Sequence, residues 1–207
     1  GKMTGMPVGL IQTSLGGSPM ERWNPKDGDL YLNMLDKIHQ TGGKYAGVLW
    51  YQGCSDTNPG PAEKYLEHFR EYVEATRKEL GYEIPFFTMQ LNRQINGIND
   101  ECWGMVRDAQ ARAAKEIPGV SVLTTSNLSL CDGIHNTAQA NVALGEKLAK
   151  QCAHVLNGKE EYQPPELVKV ERADEAERKS FQLEGSGIWL KLTCDHVKNC
   201  FLVYSAA

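Results

Sequence analysis

Four short apolar runs, separated by stretches with helical periodicity, restrict this chain to few architectures. The runs are Pro7–Val8–Gly9–Leu10–Ile11, Gly47–Val48–Leu49–Trp50–Tyr51, Ile84–Pro85–Phe86–Phe87–Thr88–Met89–Gln90–Leu91 and Val120–Ser121–Val122–Leu123–Thr124. The second has the β-branched and aromatic composition of a strand buried on both faces. Between the runs, Tyr31, Met34, Leu35 and Ile38 repeat at helical spacing before Gly42–Gly43. Pro59–Gly60–Pro61 opens a helix whose apolar stripe is Ala62, Tyr65, Leu66, Phe69, Tyr72, Val73 and Leu80, with Gly81 as its stop. Trp103, Val106, Ala109, Ala113 and Ile117 share one face of a helix from Cys102 to Ile117, and another helix runs from about Asn136 to Leu156. The expected strands are therefore residues 7–14, 46–53, 84–92 and 119–125, and the expected helices lie near 62–80, 101–117 and 137–156. Strand and helix in alternation imply an α/β fold with a parallel sheet covered by helices on both faces, because the crossovers leave no face of the sheet bare.

The pattern breaks at Pro164–Pro165. Leu167–Val170, Ser180–Leu183, Ile188–Leu192 and Phe201–Tyr204 read as strands, with Gly185–Ser186–Gly187 as a hairpin turn. Residues 1–160 are thus expected to form the α/β domain, and 166–207 the beginning of a β-rich segment too small to bury much alone. With 41% hydrophobic and 23% charged residues and a net charge of −4, the chain has a globular composition and no basic footprint for nucleic acid. No apolar run approaches the ~20 residues of a membrane span.

Chemistry in an open α/β sheet gathers where the carboxyl ends of strands give way to loops. Three such places carry suggestive residues. After the second run come Gln52–Gly53–Cys54–Ser55–Asp56, although an ordinary strand-to-helix turn capped by Asp56 or Asn58 explains them equally well. After the first run, Gly16–Gly17 let backbone N–H groups approach a ligand, as they would also let the chain turn tightly. After the fourth, Asp132 and His135 stand three apart before a helix. A carboxylate that orients an imidazole is the supporting half of a nucleophilic triad. Turn and helix-start roles are the competing reading. Asn92, where the third run ends, is a further candidate. The six cysteines include no CxxC pair. Cys194, His196 and Cys200 would give a metal only three ligands at non-standard spacing, so no metal is expected.

In order, PVGLIQTSLGGSPMERW, GVLWYQGCSDTN, PFFTMQLN and DGIHNTAQANVALGEKLA resemble the succession of blocks in SGNH-type esterases, specifically the sialate O-acetylesterase-like carbohydrate esterases, over roughly residues 7–150. The resemblance implies a flavodoxin-like three-layer α/β/α sandwich, the SGNH hydrolase fold, with a short C-terminal β segment. It implies hydrolysis of acetyl esters on a sugar such as sialic acid through a serine acyl-enzyme, with no cofactor and no metal. It also implies a periplasmic or secreted location and an acetylated carbohydrate as the partner, with no nucleic acid or membrane. By position, Asp132 and His135 become the acid and base, while the Gly16–Gly17 turn and the Gln52 side-chain amide become oxyanion donors. Such donors are typically worth ~2.7–4 kcal/mol each in acyl transfer.

Two departures stand out. The family's WYQGES reads Trp50–Tyr51–Gln52–Gly53–Cys54–Ser55, so a thiol replaces a carboxylate. The family's nucleophile sits in a GQSN-like turn, on a strand that normally lies between those of PVGLI and GVLWY, and no such turn occurs in these 207 residues. A missing N-terminal segment, a partner chain, or loss of the nucleophile in a remnant would each account for this. Two other readings remain open: a hydrolase using Cys54 as nucleophile, and a catalytically inactive carbohydrate-binding protein. Ser14, Ser18 and Ser55 are weaker candidates for the nucleophile.

Overall fold

Three of the four apolar runs pair, and they do so in parallel. β1 (Val48–Trp50), β2 (Phe86–Met89) and β3 (Val120–Leu123) form a sheet in the order β1-β2-β3. Val48 lies opposite Phe86, and Phe86 opposite Val120. Helix α1 (Asp29–Thr41) precedes the sheet, α2 (Pro61–Leu80) and α3 (Asp100–Glu116) make the crossovers, and α4 (Ala138–Leu156) follows β3. This computed structural model describes residues 5, 7–157, 167–180, 188–194 and 197–204. They fall in two units, Gly1–Gln163 and Pro164–Ala207.

The alternation of side chains along a strand assigns each face of the sheet its helices. Val48, Trp50, Phe86 and Val120 join the apolar stripes of α1, α2 and α3 in the larger core. Aromatic rings dominate it. Trp50 lies 4.6 Å from Tyr72 between centroids, Trp23 meets Trp50 edge-on at 5.1 Å, and Phe69 meets Phe86 edge-on at 6.3 Å. Such pairs add ~0.5–1.5 kcal/mol beyond the area they bury. On the opposite face Met89 and Leu123 pack with Leu128 and with Ala140 and Leu144 of α4. The expected helices on both faces are present.

The strands are shorter than the apolar runs, so backbone groups just beyond them need other partners. Helix side chains supply them. Gln110 of α3, buried among apolar neighbours, accepts a hydrogen bond from the Leu91 amide at 2.7 Å and donates to the Gln52 carbonyl at 2.9 Å. The Tyr65 hydroxyl donates to the same carbonyl at 3.0 Å, and the Trp103 indole to the Asn92 carbonyl at 2.7 Å. Arg107 donates to the Leu91 carbonyl and, at 2.7 Å, to the Ser126 hydroxyl. At the other end of the strands Arg77 donates to the carbonyls of Ile84 at 3.2 Å and Pro118 at 2.8 Å. Gly53 makes room for the first clamp. Its φ is +144°, and a Cβ there would sit 3.0 Å from Gln110 Nε2.

Residues 7–14, expected as the first strand, have no regular structure; Val8 is 66% and Leu10 78% exposed. The reason is that they pair with no strand among the described residues. A strand exists only by bonding another, and the second edge of β1 bonds no strand among the described residues.

In the second unit β4 (Leu167–Arg172), β5 (Ile188–Cys194) and β6 (Val197–Tyr204) form an antiparallel sheet in that order. The charged stretch after β4 holds a short helix, α5 (Glu175–Ser180), so Ser180 ends a helix where a strand start was expected. Residues 181–183, the Gly185–Gly187 turn and His196 lie outside the described residues.

Replacing Gln110 with leucine strands the buried Leu91 amide and leaves the Gln52 carbonyl with Tyr65 alone. Urea denaturation of Gln110→Leu is expected to show a loss of about 1–3 kcal/mol. An unchanged stability would show that the clamp does not matter.

Candidate active site

The segment after β3 folds back on itself before α4 begins. Thr137 N–H donates to the Ser129 carbonyl at 3.0 Å, Cys131 N–H to the His135 carbonyl at 2.9 Å, and Leu130 bridges Asn136 antiparallel. The Thr137 hydroxyl then caps α4 by accepting from the Ala140 amide at 3.1 Å. Asp132 and His135 sit in the loop so closed. Oδ1 of Asp132 accepts from the amides of Ile134 at 2.8 Å and His135 at 2.7 Å, while Oδ2 lies 2.7 Å from His135 Nδ1. The carboxylate therefore serves as turn-former and imidazole partner at once.

The backbone N–H groups of His135 and Ile134, then the imidazole itself, hold the Asp132 carboxyl down at about 2. An ionised carboxylate only accepts, so Nδ1 carries the proton and donates it. Nε2 is then the basic nitrogen. Both side chains are exposed. That geometry fits a general base held in one tautomer on an exposed ring.

A chain of amides joins this loop to the ends of the other strands. The Asn92 side chain, buried beyond β2, donates to the Leu128 carbonyl at 3.2 Å and to Asn136 Oδ1 at 2.7 Å. Asn136 in turn donates to the Tyr51 hydroxyl at 3.1 Å and to Asn141 Oδ1 at 3.2 Å. The Ile95 amide reaches the Gly133 carbonyl at 3.0 Å. With both amide hydrogens engaged, Asn92 is a brace for the loops in this structure.

Gln52, expected as an oxyanion donor, also has both amide hydrogens engaged, one on the Ser18 carbonyl at 2.9 Å and one on Asp56 Oδ2 at 2.5 Å. Its Oε1 is buried without a partner among the described residues. Gly16 and Gly17 form an exposed turn with Gly17 at φ +70°. No hydrogen bond among the described residues joins this turn or Gln52 to the Asp132–His135 pair, although all lie beyond carboxyl ends or in the strap bound there. Cys54 and Ser55 are half-buried in a 3₁₀ turn, Cys54–Asp56. Burial pushes the Cys54 thiol up, and the charge of Asp132 adds to the effect.

The family described as "carbohydrate esterase, sialic acid-specific acetylesterase" matches residues 2–154. The chain belongs to this carbohydrate esterase family. A probable carbohydrate esterase of Arabidopsis thaliana is 28% identical over 149 residues, covering 69% of this chain and 54% of that protein. A solved Arabidopsis thaliana structure superposes with a TM-score of 0.59 at 27% identity, over 67% of this chain and 57% of that one. A carbohydrate acetylesterase from Xanthomonas citri shares the fold, with a TM-score of 0.71 at 24% identity over 94% of this chain and 44% of its own. The chain thus spans about half the length of these relatives.

Sequence reasoning passed over Gln110, Asn136 and the role of Asp56 in this esterase-family chain. Gln110 was visible as a polar residue within the apolar stripe of α3. Asn136 adjoins His135, and Asp56 lies four residues beyond Gln52, but nothing in the sequence says which atoms they meet.

The depressed Asp132 carboxyl has a consequence with a definite sign. The stabilisation it lends the loop is complete above its ordinary value of 3.8 and is lost as pH falls towards about 2. In an acid titration followed by NMR, the amide shifts of Ile134 and His135 should move with a midpoint near the lower of those values. A midpoint at the ordinary carboxylate value would mean that the three hydrogen bonds do not persist in solution.

Proposed function

We propose that this chain supplies the acid–base half of a carbohydrate acetylesterase, acting on O-acetyl esters of sugars such as sialic acids. The Asp132–His135 pair carries this reading, because the carboxylate holds the proton on Nδ1 and the imidazole is exposed. In the reaction, His135 Nε2 takes the proton of a serine hydroxyl as its oxygen bonds to the acetyl carbon. The same proton passes to the sugar oxygen as the ester bond breaks. Water, deprotonated at the same nitrogen, then releases acetate and restores the serine. Asp132 stabilises the imidazolium formed in each half. The Gly17 N–H is the oxyanion donor in this reading. Gln52 would join it only by releasing Ser18 or Asp56.

The serine comes from a segment outside these 207 residues, either an N-terminal extension or a partner chain. Three observations support that: the lack of a GQSN-like turn, an edge of β1 that bonds no strand among the described residues, and the buried Gln52 Oε1 that has no donor among them. Cys54 is a poor substitute, since its raised pKa keeps the thiol protonated at neutral pH.

Acetate release from an O-acetylated sialic acid tests this. The 207-residue chain alone is expected to retain at most the ~10³–10⁴-fold over water that an oxyanion hole and binding can leave. Addition of the serine-bearing segment should raise turnover by orders of magnitude, and His135→Ala should abolish the gain. Turnover by the bare chain that Cys54→Ala removes would make the thiol the nucleophile. No turnover in the extended protein would make this a binding protein.

A further inference from the structure

We infer that Asp56 is a positioning residue that holds the Gly16–Gly17 turn against the end of β1, acting through the Met20 amide and the Gln52 side chain. The inference rests on the reading of that turn as the oxyanion donor. Asp56 is 3% exposed and forms no ion pair among the described residues, although the charge of His68 acts on it. A buried carboxylate without an ion-pair partner is tolerated only where hydrogen bonds replace its water. Here Met20 N–H donates to both oxygens at 3.1 Å, and Gln52 Nε2 donates to Oδ2.

These bonds converge on one strap. The second hydrogen of the Gln52 amide goes to the Ser18 carbonyl, next to Gly17. The Ser18 hydroxyl donates back to the Leu15 carbonyl at 2.8 Å and accepts from the Trp23 indole at 3.2 Å. The exposed turn is therefore bracketed by a bond at Leu15, another at Ser18 and a charge-assisted pair at Met20. Asp56 also fixes which way the Gln52 amide faces: a carboxylate must meet the NH₂ group, so Oε1 is forced to the other side. A residue that served only the 3₁₀ turn Cys54–Asp56 would not need to bridge 36 positions to Met20.

Amide hydrogen exchange on the 207-residue chain tests this, with Asp56→Asn as the variant. Loss of a charge-assisted bond should speed exchange at Met20 about ten- to a hundredfold, while amides in the middle of α2 keep their wild-type rates. Unchanged exchange at Met20, or equal acceleration there and in α2, would overturn the inference, the latter by making Asp56 a contributor to global stability. Gln52→Met is a second variant in case Asp56→Asn does not fold. It removes the donor that Asp56 and the Ser18 carbonyl share, so it should also speed exchange at Met20, and no change there would likewise overturn the inference. In the serine-supplied esterase Asp56→Asn should lower kcat with KM retained. Equal effects on both, or none, would refute the link to catalysis. Altered exchange in a protein without any acetylesterase activity would instead leave the strap intact and remove the esterase reading.

Discussion

Short strands in a buried sheet create a demand that the rest of this structure answers. Three or four residues of ladder leave carbonyls and amides beyond the strands, several of them buried, without a ladder partner. Gln110, Tyr65, Trp103 and Arg107 meet that demand from α2 and α3, so the carboxyl rim of the sheet is bolted to the helices behind it. Each bolt works only because its helix is locked in the aromatic core. Loops leaving such a rim inherit its rigidity, which is what a site built on them requires.

Against that fixed rim, the Asp132–His135 loop is exposed and is ordered by its own hydrogen bonds more than by burial. An exposed ion pair is worth little as stability. Its value here is geometric: two backbone amides fix the carboxylate, and the carboxylate fixes the imidazole. The Asn92–Asn136–Tyr51 chain then registers this loop against the ends of β1 and β2. A small error in imidazole placement costs catalysis heavily, and polar networks of this kind place atoms more sharply than apolar contact does.

Much of this was legible in the sequence because it rests on periodicity. The stripes of α2 and α3 and the runs at 48–50, 86–89 and 120–123 declare elements whatever surrounds them. Asp132 and His135 were legible too, being three apart in a loop that only local bonds close. What escaped was pairwise and distant. Gln110 meets residues 19 and 58 positions away, and Asp56 meets one 36 away. No local pattern encodes such partners. Residues 7–14 failed differently. Their composition is that of a strand, but strand formation belongs to the pair and not to the segment.

The two faces of the sheet differ in how fully they are covered. On the face towards α1, α2 and α3, every strand contributes to one large core. On the face towards α4, Phe87 is 1% exposed while Leu49, its neighbour across the β1–β2 ladder, is 48% exposed. Burial thus falls off within one strand spacing, towards the edge that bonds no strand among the described residues. A half-exposed leucine beside unpaired backbone is a costly surface to leave in water and a favourable one to cover. The candidate base, the Gly16–Gly17 turn and Gln52 all follow strands or bind beside them at this same end. A strand added to β1 would therefore deliver its own carboxyl end to the existing rim, without requiring the rim to rebuild.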